Sequence, residues 1–154
     1  MLARRLAVRT PSAKAEGIGC VEGHRLVFDK VSSDGSGKAD IEATDKMTDR
    51  VYGVLFRIDI GEEVSLDRAE GLDKGYRKDT LRVVTQAGSV TAKTYIATKK
   101  EPACVPYHWY KALVVAGGVE HGLPSPYIEW LRTVVSQPDP KPERRAENEE
   151  LLFQ

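Results

Sequence analysis

Between Arg50 and Ile60 the chain reads RVYGVLFRIDI. Tyr52, Val54, Phe56, Ile58 and Ile60 fall on one side of an extended backbone, because side chains of a strand alternate between its two faces. Beyond Pro106 the apolar spacing changes. In YHWYKALVVAGGVEHG, Trp109, Leu113 and Ala116 recur at helical intervals and Gly122 ends the run. A period of two followed by a period near 3.6 puts strands first and helices last. That order predicts an α+β fold, with a strongly curved sheet or small barrel packed by C-terminal helices.

The rest of the chain fits this division. HRLVFDK reads as a strand, and TLRVVTQAGSVTAKTYIAT as a hairpin turning at Ala87-Gly88. SSDGSGKAD between them is rich in Gly, Ser and Asp and predicts a loop. GSGKAD has the glycines of a phosphate loop but lacks its GK[ST] ending, which favours a plain loop. Ser65 to Glu70 predicts a short helix, with Ser65 as N-cap and Gly71 as its stop. SPYIEWLRTVV predicts another, opening at Ser125-Pro126, with Ile128, Leu131 and Val135 on one face. From Ser136 the sequence turns proline-rich and then charged. This predicts one domain over residues 1–135 and a flexible tail over 136–154.

Composition removes several function classes. Lys and Arg together number 23, as do Asp and Glu, so no net field draws the chain to nucleic acid or anionic lipid. No apolar run approaches the roughly 20 residues of a membrane helix. The two cysteines, Cys20 and Cys104, have no metal-type spacing and point to a reducing, cytoplasmic setting. His24, His108 and His121 are scattered, which predicts no metal centre. The first fifteen residues are basic, with no acid before Glu16, as in a transit peptide or in a basic helix of the domain.

Glu70 is the unusual residue. It lies four positions after Leu66 and directly before Gly71, so it shares Leu66's helix face at the helix C-terminus. Apolar burial and the negative end of the helix dipole both disfavour a carboxylate's charge there. A carboxyl so placed is a usable proton shuttle near neutral pH. The alternative from local pattern is an exposed glutamate paired with Lys74. The tyrosines of YHWY read similarly as packing residues or cavity-facing hydroxyls.

LDRAEGLDKGY resembles the LDxxEGxxxGY segment of gamma-glutamylcyclotransferases. TYIAT followed by PYHWYKALVVAGGVEHGLPSPYIEWL is similar to that family's second half. TPSAKAEGIG, HRLVFDK, GSGKADI and VYGVLFRI fit its earlier strands, so the resemblance spans about residues 1 to 135. It implies a compact mixed β-barrel with flanking helices, no cofactor, and a small γ-glutamyl substrate. The implied reaction is attack by the α-amine of a γ-glutamyl group on its own γ-carbonyl. This forms 5-oxoproline and releases an amine or amino acid, a step of glutathione metabolism in the family. Glu70 matches the catalytic glutamate, and Tyr110 matches a substrate-holding tyrosine. Tyr76 matches the adjoining pocket wall; some members carry that tyrosine one position later, where this chain has Arg77.

The pattern departs from the family at one place. Members open with a strand and a Y-G-S-N loop that grips the glutamyl group, and here Met1 stands where the residue after that loop belongs. MLARRLAVRTPSA then resembles the helix and loop that follow it. Two expectations result: a true start lying upstream, or a naturally shortened relative that binds a small amino-acid-like ligand or a protein partner without turnover. Oligomeric state, monomer or homodimer, is open at the level of sequence, as are the leaving group and any relative specialised for amine-bearing intermediates.

Overall fold

The computed structural model describes residues 2–153. Helix α1 (Ala3–Arg9) leads into strands β1 (Lys14–Glu22), β2 (His24–Val31), β3 (Gly37–Ala43) and β4 (Arg50–Arg57). A single 3-10 turn, Ile60–Glu62, runs into α2 (Glu63–Glu70), followed by the hairpin β5 (Tyr76–Thr85) and β6 (Gly88–Ala97). Helices α3 (His108–Glu120), α4 (Ser125–Thr133) and α5 (Pro142–Glu150) close the chain. The α+β class and the strands-then-helices order are as the periodicity predicts.

Hydrogen bonding divides the strands into two sheets, one in the order β4-β1-β5-β6 and the other a β2-β3 hairpin. Their named strand pairs are all antiparallel. The sheets face each other with β2 against β4 and β3 against β6, so the six strands follow a barrel's cyclic order. The expected mixed barrel is therefore not closed by strand ladders. At the β3–β6 seam a side chain replaces the ladder: the Ala97 amide donates to Oδ1 of buried Asp40 at 2.7 Å. The Lys100 ammonium crosses the same seam, 2.9 Å from Asp40 and 3.2 Å from Glu42. A largely apolar cavity of about 270 Å³ lies between the sheets, lined by residues including Gly19, Leu26, Leu55, Val83 and Tyr95.

The β2–β3 hairpin is packed tightly at its closed end. The Gly37 amide donates to Val105 at 2.9 Å, and a methyl group on its Cα would lie 2.0 Å from the Phe28 carbonyl oxygen. Backbone cannot swing aside as a long side chain can. Gly37→Ala is expected to destabilise the fold by about 1–3 kcal/mol, read as a lower urea midpoint at unchanged slope.

Helix α3 carries the main apolar cluster, in which Leu2, Tyr107, Trp109 and Leu113 are buried together. Its Gly118 lets α4 approach: a Cβ there would already touch Leu123, Ile128 and Leu131 at 3.5–3.8 Å. Ile128 and Leu131 are buried as their spacing predicts, but Val135 lies past the end of α4 and is 73% exposed. Helix α2 starts at Glu63, ahead of the expected cap at Ser65. Glu62 instead ties that helix start to the α1–β1 loop, accepting from the Ser12 amide at 3.1 Å and its hydroxyl at 2.6 Å. Gly71 ends the helix in the left-handed conformation, φ 77°, as expected.

Composition predicts a flexible tail over 136–154; residue 154 lies outside the described residues, and residues 136–153 build onto the domain instead. The Gln137 carbonyl accepts from the His108 amide at 2.9 Å, and Asp139 is buried. The Asp139 carboxylate accepts from the Trp109 indole at 2.8 Å, the Lys141 amide at 2.9 Å and the Arg144 guanidinium at 2.6 Å. Leu151 and Leu152 then pack on the α3 cluster. Composition reports the solvated face of α5 and hides these few specific contacts.

Candidate active site

Four elements converge at the C-terminal end of α2. The helix is held from below by the β5–β6 hairpin: Lys78 donates to Glu63 at 2.6 Å and to Asp67 at 2.7 Å. The Tyr95 hydroxyl donates to the other Asp67 oxygen at 2.6 Å. These bonds fix the last turn, where Glu70 projects towards α1. Its Oε1 accepts from the Arg9 guanidinium at 2.6 Å, with the two side chains 20% and 28% exposed. The setting is thus polar and half-buried. The apolar environment predicted from the Leu66 spacing is not found, because Arg9 reaches across from α1.

Tyr76, the first residue of β5, and Tyr110, in the first turn of α3, meet at one residue of β3. The Tyr76 hydroxyl donates to the Ala39 carbonyl at 3.0 Å, and the Ala39 amide donates to the Tyr110 hydroxyl at 3.1 Å. Burial raises the pKa of both phenols, and the negative charge of Glu70 adds to the effect on each. Both are therefore neutral at physiological pH. Tyr110, which accepts from Ala39, keeps its own proton free to donate.

Tyr110 is itself fixed by the loop that only superficially matches a phosphate-binding motif. The Lys38 ammonium sits 4.6 Å from the Tyr110 ring centre, 4.7 Å from Trp109 and 5.7 Å from Tyr107. Asp34 at 2.9 Å and Ser36 at 2.7 Å complete its shell. Such cation–π contacts, desolvated on one side, anchor an aromatic helix face against a strand. The Lys38 pKa is lowered by burial, against the opposing pull of Asp34.

Two further cations surround the group. Lys30 lies with its ammonium 4.7 Å over the Tyr76 ring, and Arg5 on α1 feels the charges of Glu70 and Tyr110. Tyr76 and Tyr110 thus meet at Ala39 and the charge of Glu70 acts on both, whereas Arg5, Arg9, Lys30 and Lys38 were not legible as site residues. The sequence signal for two of them was the acid-free run ARRLAVR, which α1 turns towards α2. The large cavity between the sheets does not reach Glu70, Tyr76 or Tyr110. Among the described residues no three His, Cys, Asp or Glu side chains cluster as metal ligands, and no helix is long and apolar enough to cross a membrane.

Comparison with known proteins gives a consistent picture. The AIG2-like family model matches residues 50–131, a stretch that contains Glu70, Tyr76 and Tyr110. The gamma-glutamylcyclotransferase of Homo sapiens is 35% identical over 88 residues, covering 56% of this chain and 46% of that protein. The chain's match thus spans about half the length of this relative. The gamma-glutamylcyclotransferase of Bos taurus is 29% identical over 141 residues, covering 87% of this chain and 73% of that protein. A solved gamma-glutamyl cyclotransferase superposes with a TM-score of 0.84 at 27% identity, covering 99% of this chain and 92% of that one.

Proposed function

We propose that this chain, which belongs to the AIG2-like family, catalyses a gamma-glutamylcyclotransferase-type reaction with Glu70 as its proton-transfer group. The observation that carries the reading is the meeting of Tyr76 and Tyr110 at Ala39 with the charge of Glu70 acting on both hydroxyls, all three residues lying in the stretch matched by the family. The α-amine of a γ-glutamyl group attacks the γ-carbonyl of the same molecule. A C–N bond forms, the original amide C–N bond breaks, and 5-oxoproline leaves together with the free amine or amino acid. The rearrangement is redox-neutral and its nucleophile is internal.

The protein's task is then to fold the substrate into ring-closing geometry and to move one proton. Arg9 holds Oε1 of Glu70 at 2.6 Å and fixes the carboxylate at the end of α2. Glu70 takes a proton from the α-ammonium and returns one to the departing nitrogen, a general base that becomes a general acid. Tyr110, with a neutral hydroxyl whose proton is uncommitted, is placed to hold a substrate oxygen; Tyr76 forms the adjoining wall. Release of 5-oxoproline from γ-glutamyl dipeptides, glutathione and γ-glutamyl amines by the full-length protein tests the reading. Product from at least one class is expected. Binding of these compounds with no product would instead favour a barrel that holds an amino-acid-like ligand, a reading supported by the Arg9 ion pair already occupying Glu70.

A further inference from the structure

The β2–β3 hairpin carries two lysines beside aromatic rings and packs a third from the segment after β6, and they are treated differently. Lys38 is bound by Asp34 and Ser36. Lys100 is shared by Asp29, Asp40 and Glu42 within 3.3 Å. Lys30 has neither arrangement: among the described residues no carboxylate lies within ion-pair distance of its ammonium, whose one close polar neighbour is the face of Tyr76 at 4.7 Å. The side chain is half-buried, and no described carboxylate pairs directly with its charge. Gly75 makes the room for it. A Cβ at that position would come within 3.1 Å of the Lys30 Cε and 3.5 Å of its Nζ.

Lys30 also faces the proposed reaction centre. The ring beneath it belongs to the tyrosine that binds Ala39, and the charges acting on its ammonium include Asp34, Glu70 and Lys99. Asp34 is already bound to Lys38, and Glu70 to Arg9. A half-buried cation whose potential partners are engaged elsewhere gains when an anion arrives from solution, because part of its desolvation is already in place. From this geometry, and resting on the cyclotransferase reading above, we propose that Lys30 is the docking group for a carboxylate of the γ-glutamyl substrate. Every γ-glutamyl donor brings its α-carboxylate, and donors with an amino-acid leaving group bring a second one.

Lys30→Met keeps the aliphatic stem and removes the charge, and Lys30→Arg restores a cation. KM and kcat for 5-oxoproline release are measured with γ-glutamylalanine and with its C-terminal amide, γ-glutamylalaninamide. Loss of one charge-assisted contact predicts a rise in KM of about 10–100-fold in Lys30→Met, with kcat within about threefold, and substantial recovery in Lys30→Arg. A rise confined to γ-glutamylalanine identifies the leaving-group carboxylate; a rise with both compounds identifies the α-carboxylate. A KM within twofold of wild type for both overturns the proposal. Calorimetric binding of γ-glutamylalanine separates this result from failure of the cyclotransferase reading. Wild type that binds but releases no 5-oxoproline sinks the catalytic reading alone, while equal affinity of wild type and Lys30→Met sinks the Lys30 assignment. Melting of Lys30→Met at or above the wild-type temperature is expected, since no ion pair is broken.

Discussion

Replacing Glu70 with Gln is expected to lower kcat for 5-oxoproline release by about 10²–10⁴-fold while leaving KM within a few-fold of wild type. Gln has the same shape and keeps an oxygen that accepts from Arg9, so the position of the α2 terminus should survive. What it cannot do is take a proton from the α-ammonium and hand one to the leaving nitrogen. The stability cost is small, because the Arg9–Glu70 pair is partly exposed and such pairs contribute about 1 kcal/mol or less. A matched thermal melt with lost turnover is the predicted combination. Turnover within threefold of wild type would show that the proton moves through another group, and the catalytic assignment of Glu70 would fail. Arg9→Met is the informative companion. It releases the carboxylate without removing it, so a far smaller loss of activity than in Glu70→Gln is expected.

The sequence's legibility follows the range of the interactions concerned. β4 and α3 could be read because their periodicity is written in consecutive residues, and Gly71 because a left-handed helix stop is a local requirement. Glu70 was visible as a residue, but its environment was not. Arg9 lies 61 positions away, and only the packing of α1 on α2 brings it to 2.6 Å. The same holds for the two tyrosines. Nothing between Tyr76 and Tyr110 hints that both hydroxyls will meet the backbone of Ala39, which is itself on a separate sheet. The barrel was legible as a curved set of strands, but not its seams, where Asp40 stands in for a strand partner. A buried aspartate in GSGKADI has no local signature to distinguish it from an exposed one.

The tail gives the opposite error, and its correction carries the second large expected effect. Asp139 lies in QPDPKPE, a context that reads as disordered, yet its carboxylate has no accessible surface and joins Trp109, Lys141 and Arg144. Asp139→Ala leaves a buried indole N–H without an acceptor and the Arg144 guanidinium without its anion. A destabilisation of about 3 kcal/mol at pH 7 is expected from urea unfolding, of the order found when one partner of a buried charged pair is removed. The acid limb adds a second signature. The Arg144 guanidinium, aided by the Lys141 amide and the Trp109 indole, holds the Asp139 carboxyl well below the usual carboxylate range despite its burial. A depressed carboxylate contributes stability that is fully present above its unfolded pKa of about 4 and is lost as pH falls through its folded value. The gap between wild type and Asp139→Ala should therefore be constant from pH 7 down to about 5 and narrow steadily below about 4. A gap under 0.5 kcal/mol at pH 7, or one that does not narrow in acid, would mean that α5 is held by Leu151 and Leu152 alone and that the ion pair contributes nothing to the fold.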